Sequence, residues 1–258
     1  MLAAYGYSLE LAAIGVFASH EYGDGWAMAP LGVPVAVAVV WAAVISSAMA
    51  LAPRLGLRSA LGRGAAAAVI AIALDFVMEP VAVRAGLWSW TPPGPWLGIP
   101  VGNFVGWAVV VGSYTAAAER WHYEGTLTVS ALRRTGLAAA SIAVLLAVGA
   151  LWTRFEAERF FSGGRAWGVW AAVLVAAILC PRLERGARRP RTAMPEPGAG
   201  LAARLAQPPP TLPTATFLLL GSVFAADAAL LGHAGVGLVA VGSLVVLARV
   251  GRAAGVPG

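Results

Sequence analysis

The sequence predicts an all-α, polytopic membrane protein: a bundle of about eight transmembrane helices. Three observations predict it. First, 59% of the 258 residues are hydrophobic and only 12% are charged, where a soluble domain carries about 25% charged residues. Second, the mean hydropathy of +0.77 comes from separate apolar runs of spanning length. Third, the basic residues fall between those runs or at their ends. The same composition excludes an ordinary cytosolic domain and a disordered chain.

The runs lie at 1–18, 31–51, 65–84, 98–118, 135–152, 166–180, 214–231 and 234–250. The sixth and the last two are short, so seven is the alternative count. No positively charged stretch precedes the first run, so no cleaved signal peptide is expected. All 18 basic residues are arginine. With eight spans, Arg54, Arg58, Arg63, Arg120, Arg133, Arg134, the six arginines of 181–213, Arg249 and Arg252 share one side. By the positive-inside rule that side is cytoplasmic, with both termini, in a multi-pass plasma (inner) membrane protein. The net charge of +6 therefore reads as topology, and no nucleic-acid partner is expected. Residues 1–180 form a six-helix membrane body. Residues 181–213, basic and rich in proline, form a cytoplasmic linker, and 214–258 form a two-helix hairpin and tail.

An internal repeat organises the first half. GVPVAVAVVWAAVISS at 32–47 and GIPVGNFVGWAVVVGS at 98–113 align without a gap at a shift of 66 residues. The copies span about 1–51 and 65–118, each as helix, outer loop, helix, so they have parallel topology. The shift superposes Pro34 on Pro100, in the first helical turn, and Tyr22 on Trp88. The differences are chemical. Ala36, Val37 and Val40 become Gly102, Asn103 and Gly106, and the second copy carries DFVMEP at 75–80.

Ionisable groups within a span cost about 2.5–3.5 kcal/mol each on insertion scales, which makes them functional candidates. Glu10, Asp75, Glu79 and Asp227 lie in the proposed spans. Asp75 and Glu79, four apart, share a helix face. At about 1.5 Å per residue, Glu79 and Asn103 lie about 7 Å below the outer surface, Asp75 and Glu10 about 12–14 Å, and Asp227 about 6 Å. Pro80 frees the carbonyl of Phe76 from the helical ladder. Trp88 and Trp90 stand beyond the acid helix as a candidate lid, while Trp96, His20 and His233 are expected at the interface. Gly102 and Gly106 predict a close helix contact.

An apolar surrounding disfavours an anion, so a carboxyl group placed there tends to hold its proton. Two such groups in one site repel, leaving one as acid and the other as base. That pair suits proton-initiated chemistry on an apolar molecule, with aromatic faces to stabilise a cation. The three histidines and single cysteine are too few and too dispersed for a metal cluster, and no glycine-rich phosphate loop is present. No metal and no cofactor is expected.

The run DFVMEPVAVRAGLWSW, followed by PWLGIPVGNFVGW, resembles the carotenoid biosynthesis membrane proteins, among them the bisanhydrobacterioruberin and γ-carotene 1'-hydroxylase-type hydratases. The likeness is strongest over 72–107 and extends over 7–118. The family's positions correspond to Asp75, Glu79-Pro80, Gly86 to Trp90 and Pro100 to Phe104, with Glu10 in the first copy. VFASHEYG stands where the family has a TGxPFG-like segment. The resemblance implies a hydratase acting on the terminal C=C of an acyclic carotenoid, with the bilayer and other pathway enzymes as partners. It implies Asp75 as the catalytic acid and Glu79, with Asn103, as the base that positions the water, the two roles being exchangeable, and Glu10, Asn103, Trp88 and Trp90 as substrate-binding residues. The alternatives are an end-group cyclase and a non-catalytic carotenoid or lipid carrier.

Overall fold

The computed structural model describes residues 1–55, 57–120 and 127–161. The expected sixth to eighth spans, the linker, the C-terminal hairpin and Asp227 lie outside the described residues. Within them the chain is mostly helical: α1 (Leu2–Phe17), α2 (Val35–Leu51), α3 (Ala60–Arg84), α4 (Val101–Arg120), α5 (Leu127–Arg154) and the short α6 (Ala157–Phe161). Two strands, β1 (His20–Tyr22) and β2 (Trp88–Trp90), add a small sheet that the all-α expectation did not contain.

Helices stand on each of the first five apolar runs, and their ends follow local chemistry. α3 starts five residues earlier than its apolar run because the Ser59 side chain caps it, accepting the Gly62 N–H at 3.0 Å. Pro34 is the cap of α2, and Pro100 directly precedes α4. Both prolines therefore sit just outside the helix and not in its first turn, where a fixed φ still leads the chain in. α1 ends at Ala18, whose left-handed backbone (φ 46°) turns the chain toward β1.

Among the described residues three helices are long and apolar enough to cross a membrane: Ala60–Arg84, Val101–Arg120 and, within α5, Leu132–Arg154. α1 and α2, with 16 and 17 residues, are apolar but shorter. The chain is a multi-pass membrane protein on this count. α3 is the central helix, with 72% of its most apolar stretch buried, whereas only 11% of that of α5 is covered. The face of α5 that the other described residues leave uncovered is apolar over its middle turns.

Small residues let α3 and α4 approach closely. A Cβ on Gly64 would meet the Gly112 carbonyl oxygen at 2.6 Å and the Ala116 methyl at 2.9 Å. Close backbone packing of this kind is the usual means of helix association in a bilayer. The core continues through Trp41 of α2 and Trp107 of α4, whose rings stack at 4.2 Å, and through Tyr5 and Tyr114, stacked at 4.9 Å. Ser141 of α5 ties in by accepting the Tyr5 hydroxyl at 2.8 Å and pairing with Ser113 at 2.8 Å.

The two loops that join the paired helices meet at one end of the bundle. β1 and β2 run antiparallel, with His20 opposite Trp90, Glu21 opposite Ser89 and Tyr22 opposite Trp88. Side chains alternate across a strand, so Glu21 and Ser89 are exposed while the four rings turn inward.

Candidate active site

Beneath this aromatic pair lies a cavity of about 960 Å³. Its walls are apolar side chains of α1, α2, α4 and α5, such as Leu9, Val37, Val40 and Val148. Glu10, Glu79 and Asn103 supply polar groups, and His20, Tyr22, Trp26, Trp88 and Trp90 line the strand end. An apolar pocket with a few convergent polar groups is the usual form of a small-molecule site.

Each carboxyl group is held differently. Glu79, 4% exposed, accepts the indole N–H of Trp88 at 2.9 Å and that of Trp90 at 3.1 Å, both on Oε2. Glu10 of α1 is also buried; its Oε1 accepts the Trp41 indole N–H at 2.6 Å, and its Oε2 lies 3.1 Å from Nε2 of His20. Asp75, fully buried, accepts from the Asn103 side-chain amide at 3.0 Å on Oδ2, while its Oδ1 has no hydrogen-bond partner among the described residues. Buried polar atoms are rarely left so. Asp75 does not itself line the cavity; Asn103 stands between. The expected site residues Glu10, Glu79, Asn103, Trp88 and Trp90 thus share one cavity wall system, and Asp75 sits one layer behind it.

Pro80 acts as its position in α3 requires. The Phe76 carbonyl, released from the ladder, accepts the Trp96 indole N–H at 3.4 Å, and the Trp96 ring meets the Phe76 ring edge-on at 5.5 Å. Trp96 is therefore tied into the fold and is not merely an interfacial ring. The acid pair draws its hydrogen bonds from Asn103 and the two indoles.

Other residues enter the site without having been anticipated. His20, expected at the interface, turns inward to Glu10 and packs on Trp90 at 4.8 Å. Tyr22 packs edge-on against His20 and Trp88. Burial, reinforced by the neighbouring Glu10 carboxyl, pushes the Tyr22 hydroxyl far above the usual phenol range, so it stays a neutral donor. Glu158 of α6 caps α4, accepting the N–H groups of Val101 at 2.7 Å and Gly102 at 3.0 Å, and it also takes the Trp152 indole at 3.2 Å. Gly102 makes room for this: a Cβ there would stand 3.1 Å from Trp152 Nε1, and one on Gly106 would stand 3.6 Å from Leu145. Gly102 thus admits α6 and the end of α5 against the cavity, whereas Gly106 borders α5 at ordinary contact distance. Among the described residues no group of three or more histidine, cysteine, aspartate or glutamate side chains is placed to hold a metal ion.

A membrane helix bundle with an apolar cavity, roofed by paired aromatic strands and fitted with buried carboxyl groups, defines a class of multi-pass membrane proteins suited to apolar molecules. The chain belongs to the carotenoid biosynthesis protein family, whose model matches residues 1–181. No curated protein and no solved structure matches it.

Proposed function

We propose that the protein is a carotenoid hydratase, adding water across the terminal C=C of an acyclic carotenoid. The observation that carries this is the setting of Glu79: a carboxyl group facing an apolar cavity with both indole donors on one oxygen. Because Oε2 accepts twice, a proton on this group resides on Oε1. Glu79 is then the donor. Its proton goes to the less substituted carbon of the terminal double bond, whose π pair forms the new C–H bond and leaves a tertiary cation. Water closes the new C–O bond and yields its proton to a carboxylate of the site. The rings of Trp88, Trp90 and Tyr22 supply π faces for the cation.

The resemblance implies Asp75 as the acid and Glu79 as the base, with the exchange as the alternative, and the present proposal takes the exchanged order. The place of Asp75 behind Asn103 favours a positioning role for it, orienting Asn103 on the cavity wall. The arginine distribution supports cytoplasmic termini, which directs the cavity end of the bundle to the opposite face.

Expression in cells that accumulate an acyclic carotenoid tests the proposal. The expected product is a tertiary alcohol heavier by one water. A ring-bearing product of unchanged mass identifies a cyclase instead, and unaltered pigment retained by the purified protein identifies a carrier.

A further inference from the structure

Addition of water returns no net proton, yet the group that gives one and the group that receives one need not be the same. With Glu79 as donor, the site needs a base that reaches the same cavity. Asp75 is screened by Asn103, whereas Glu10 lines the cavity from α1, on a different helix from Glu79. Glu10 is held at both oxygens. Trp41, fixed by its stack on Trp107, donates to Oε1, and His20 meets Oε2 at 3.1 Å with its side chain only 8% exposed.

We infer that Glu10 is the general base of this site and that His20 is its positioning residue. The inference rests on the hydratase proposal above. Water attacking the tertiary cation forms the C–O bond with an oxygen lone pair, and the resulting oxonium gives its extra proton to the Glu10 carboxylate. Trp41 and His20 keep that carboxylate aimed and stabilise its charge, as donors to a general base do. The cycle closes when a water molecule, the co-substrate, carries the proton from Glu10 back to Glu79 across the cavity that both line; the rings between them hold the two groups in place and carry no proton. His20 packs on Trp90 at 4.8 Å, and Trp90 donates to Glu79 at 3.1 Å. On the other side Tyr22 packs on both His20 and Trp88. The groups facing His20 are Glu10 from α1, the adjoining Ser19 hydroxyl at 3.5 Å from Nδ1, Tyr22 on its own strand, Trp90 from β2 and, through the indoles, Glu79 from α3.

The test compares Glu10→Gln, His20→Ala, His20→Gln and the double variant Glu10→Gln/His20→Ala in the purified full chain. Glu10→Gln is expected to lower kcat about 100-fold with little change in KM, the typical scale of a lost general base. His20→Ala is expected to lower it about tenfold, and His20→Gln, which keeps an N–H donor, to recover most of that loss. Residues acting as one unit are not additive, so the double variant should fall no lower than Glu10→Gln. Full activity in Glu10→Gln, or losses that multiply in the double variant, overturns the inference while leaving hydration intact. A wild type that forms no hydrated product overturns the hydratase proposal instead. A readout free of turnover is the NMR signal of isotope-labelled His20, assigned by its loss in His20→Gln. It should move in Glu10→Gln, and a signal that stays in place overturns the pairing, and the inference with it.

Discussion

Trp41 and Trp107 stack face to face, with ring centroids 4.2 Å apart and planes 27° from parallel. They are also partners under the 66-residue shift, as are Tyr22 and Trp88, which oppose each other in the sheet. Both contacts fit a pseudo-two-fold axis running between two helix pairs, which we propose as the symmetry of this bundle. The carboxyl groups do not obey it: the shift sets Glu10 on Phe76 and Glu79 on Ala13. Scaffold positions are repeated and meet their own copies, whereas the reactive groups are placed singly.

Glu79→Gln should reduce hydration by about 100-fold or more while the protein still retains carotenoid, because the amide has no proton to give. Asp75→Asn should cost less, about tenfold, since Asp75 acts through Asn103. Product analysis of both variants checks the order. Near-full activity in Glu79→Gln with a collapse in Asp75→Asn would reverse the two assignments.

Trp88→Phe and Trp90→Phe keep a ring in the roof and remove one N–H from Glu79 Oε2. A hydrogen bond to a carboxylate contributes about 1.5–3 kcal/mol, and the other indole remains in each single variant. Each is expected to lower turnover severalfold and the double variant far more. Rates measured on equal amounts of folded protein test this.

Trp96→Phe separates stability from chemistry. It removes the indole bond to the Phe76 carbonyl, which lies outside the cavity-facing set. A loss of about 1 kcal/mol in stability is expected, the net value of an ordinary hydrogen bond. Thermal unfolding in detergent should register it, with activity per folded molecule unchanged.

Two glycine substitutions should diverge. Gly64→Ala drives a methyl into the Gly112 carbonyl and Ala116, and overpacking costs about 1–3 kcal/mol. Gly15→Ala meets nothing within 4 Å and should be neutral or stabilising by up to about 1 kcal/mol, from helix propensity alone. Paired melting curves of the two variants provide the check.

The helices were legible because spanning segments must be apolar over their whole length, and that pattern survives without knowledge of neighbours. Their ends were less so: the Ser59 cap extends α3 through a stretch containing Arg63 that reads as loop. The strands were missed, although HEY and WSW each alternate inward rings with an outward polar residue. Three residues are too few for periodicity to register, and their pairing joins positions 66 to 70 apart through the fold. The carboxyl groups announced themselves by their cost in lipid. Which of Asp75 and Glu79 faces the cavity did not, because both lie on one helix face and only the position of Asn103 tells them apart. Glu158 gave no signal at all, being 57 and 56 residues from the amides it caps.

The double indole grip on Oε2 of Glu79 has a stereochemical result. A carboxyl group free to rotate offers its proton from either oxygen and from many directions. One pinned by Trp88 and Trp90 offers it from a single oxygen along a single approach. Hydration by a donor held this way sets the incoming hydrogen on one face of the alkene. In heavy water the methylene beside the new alcohol should carry its deuterium with one handedness.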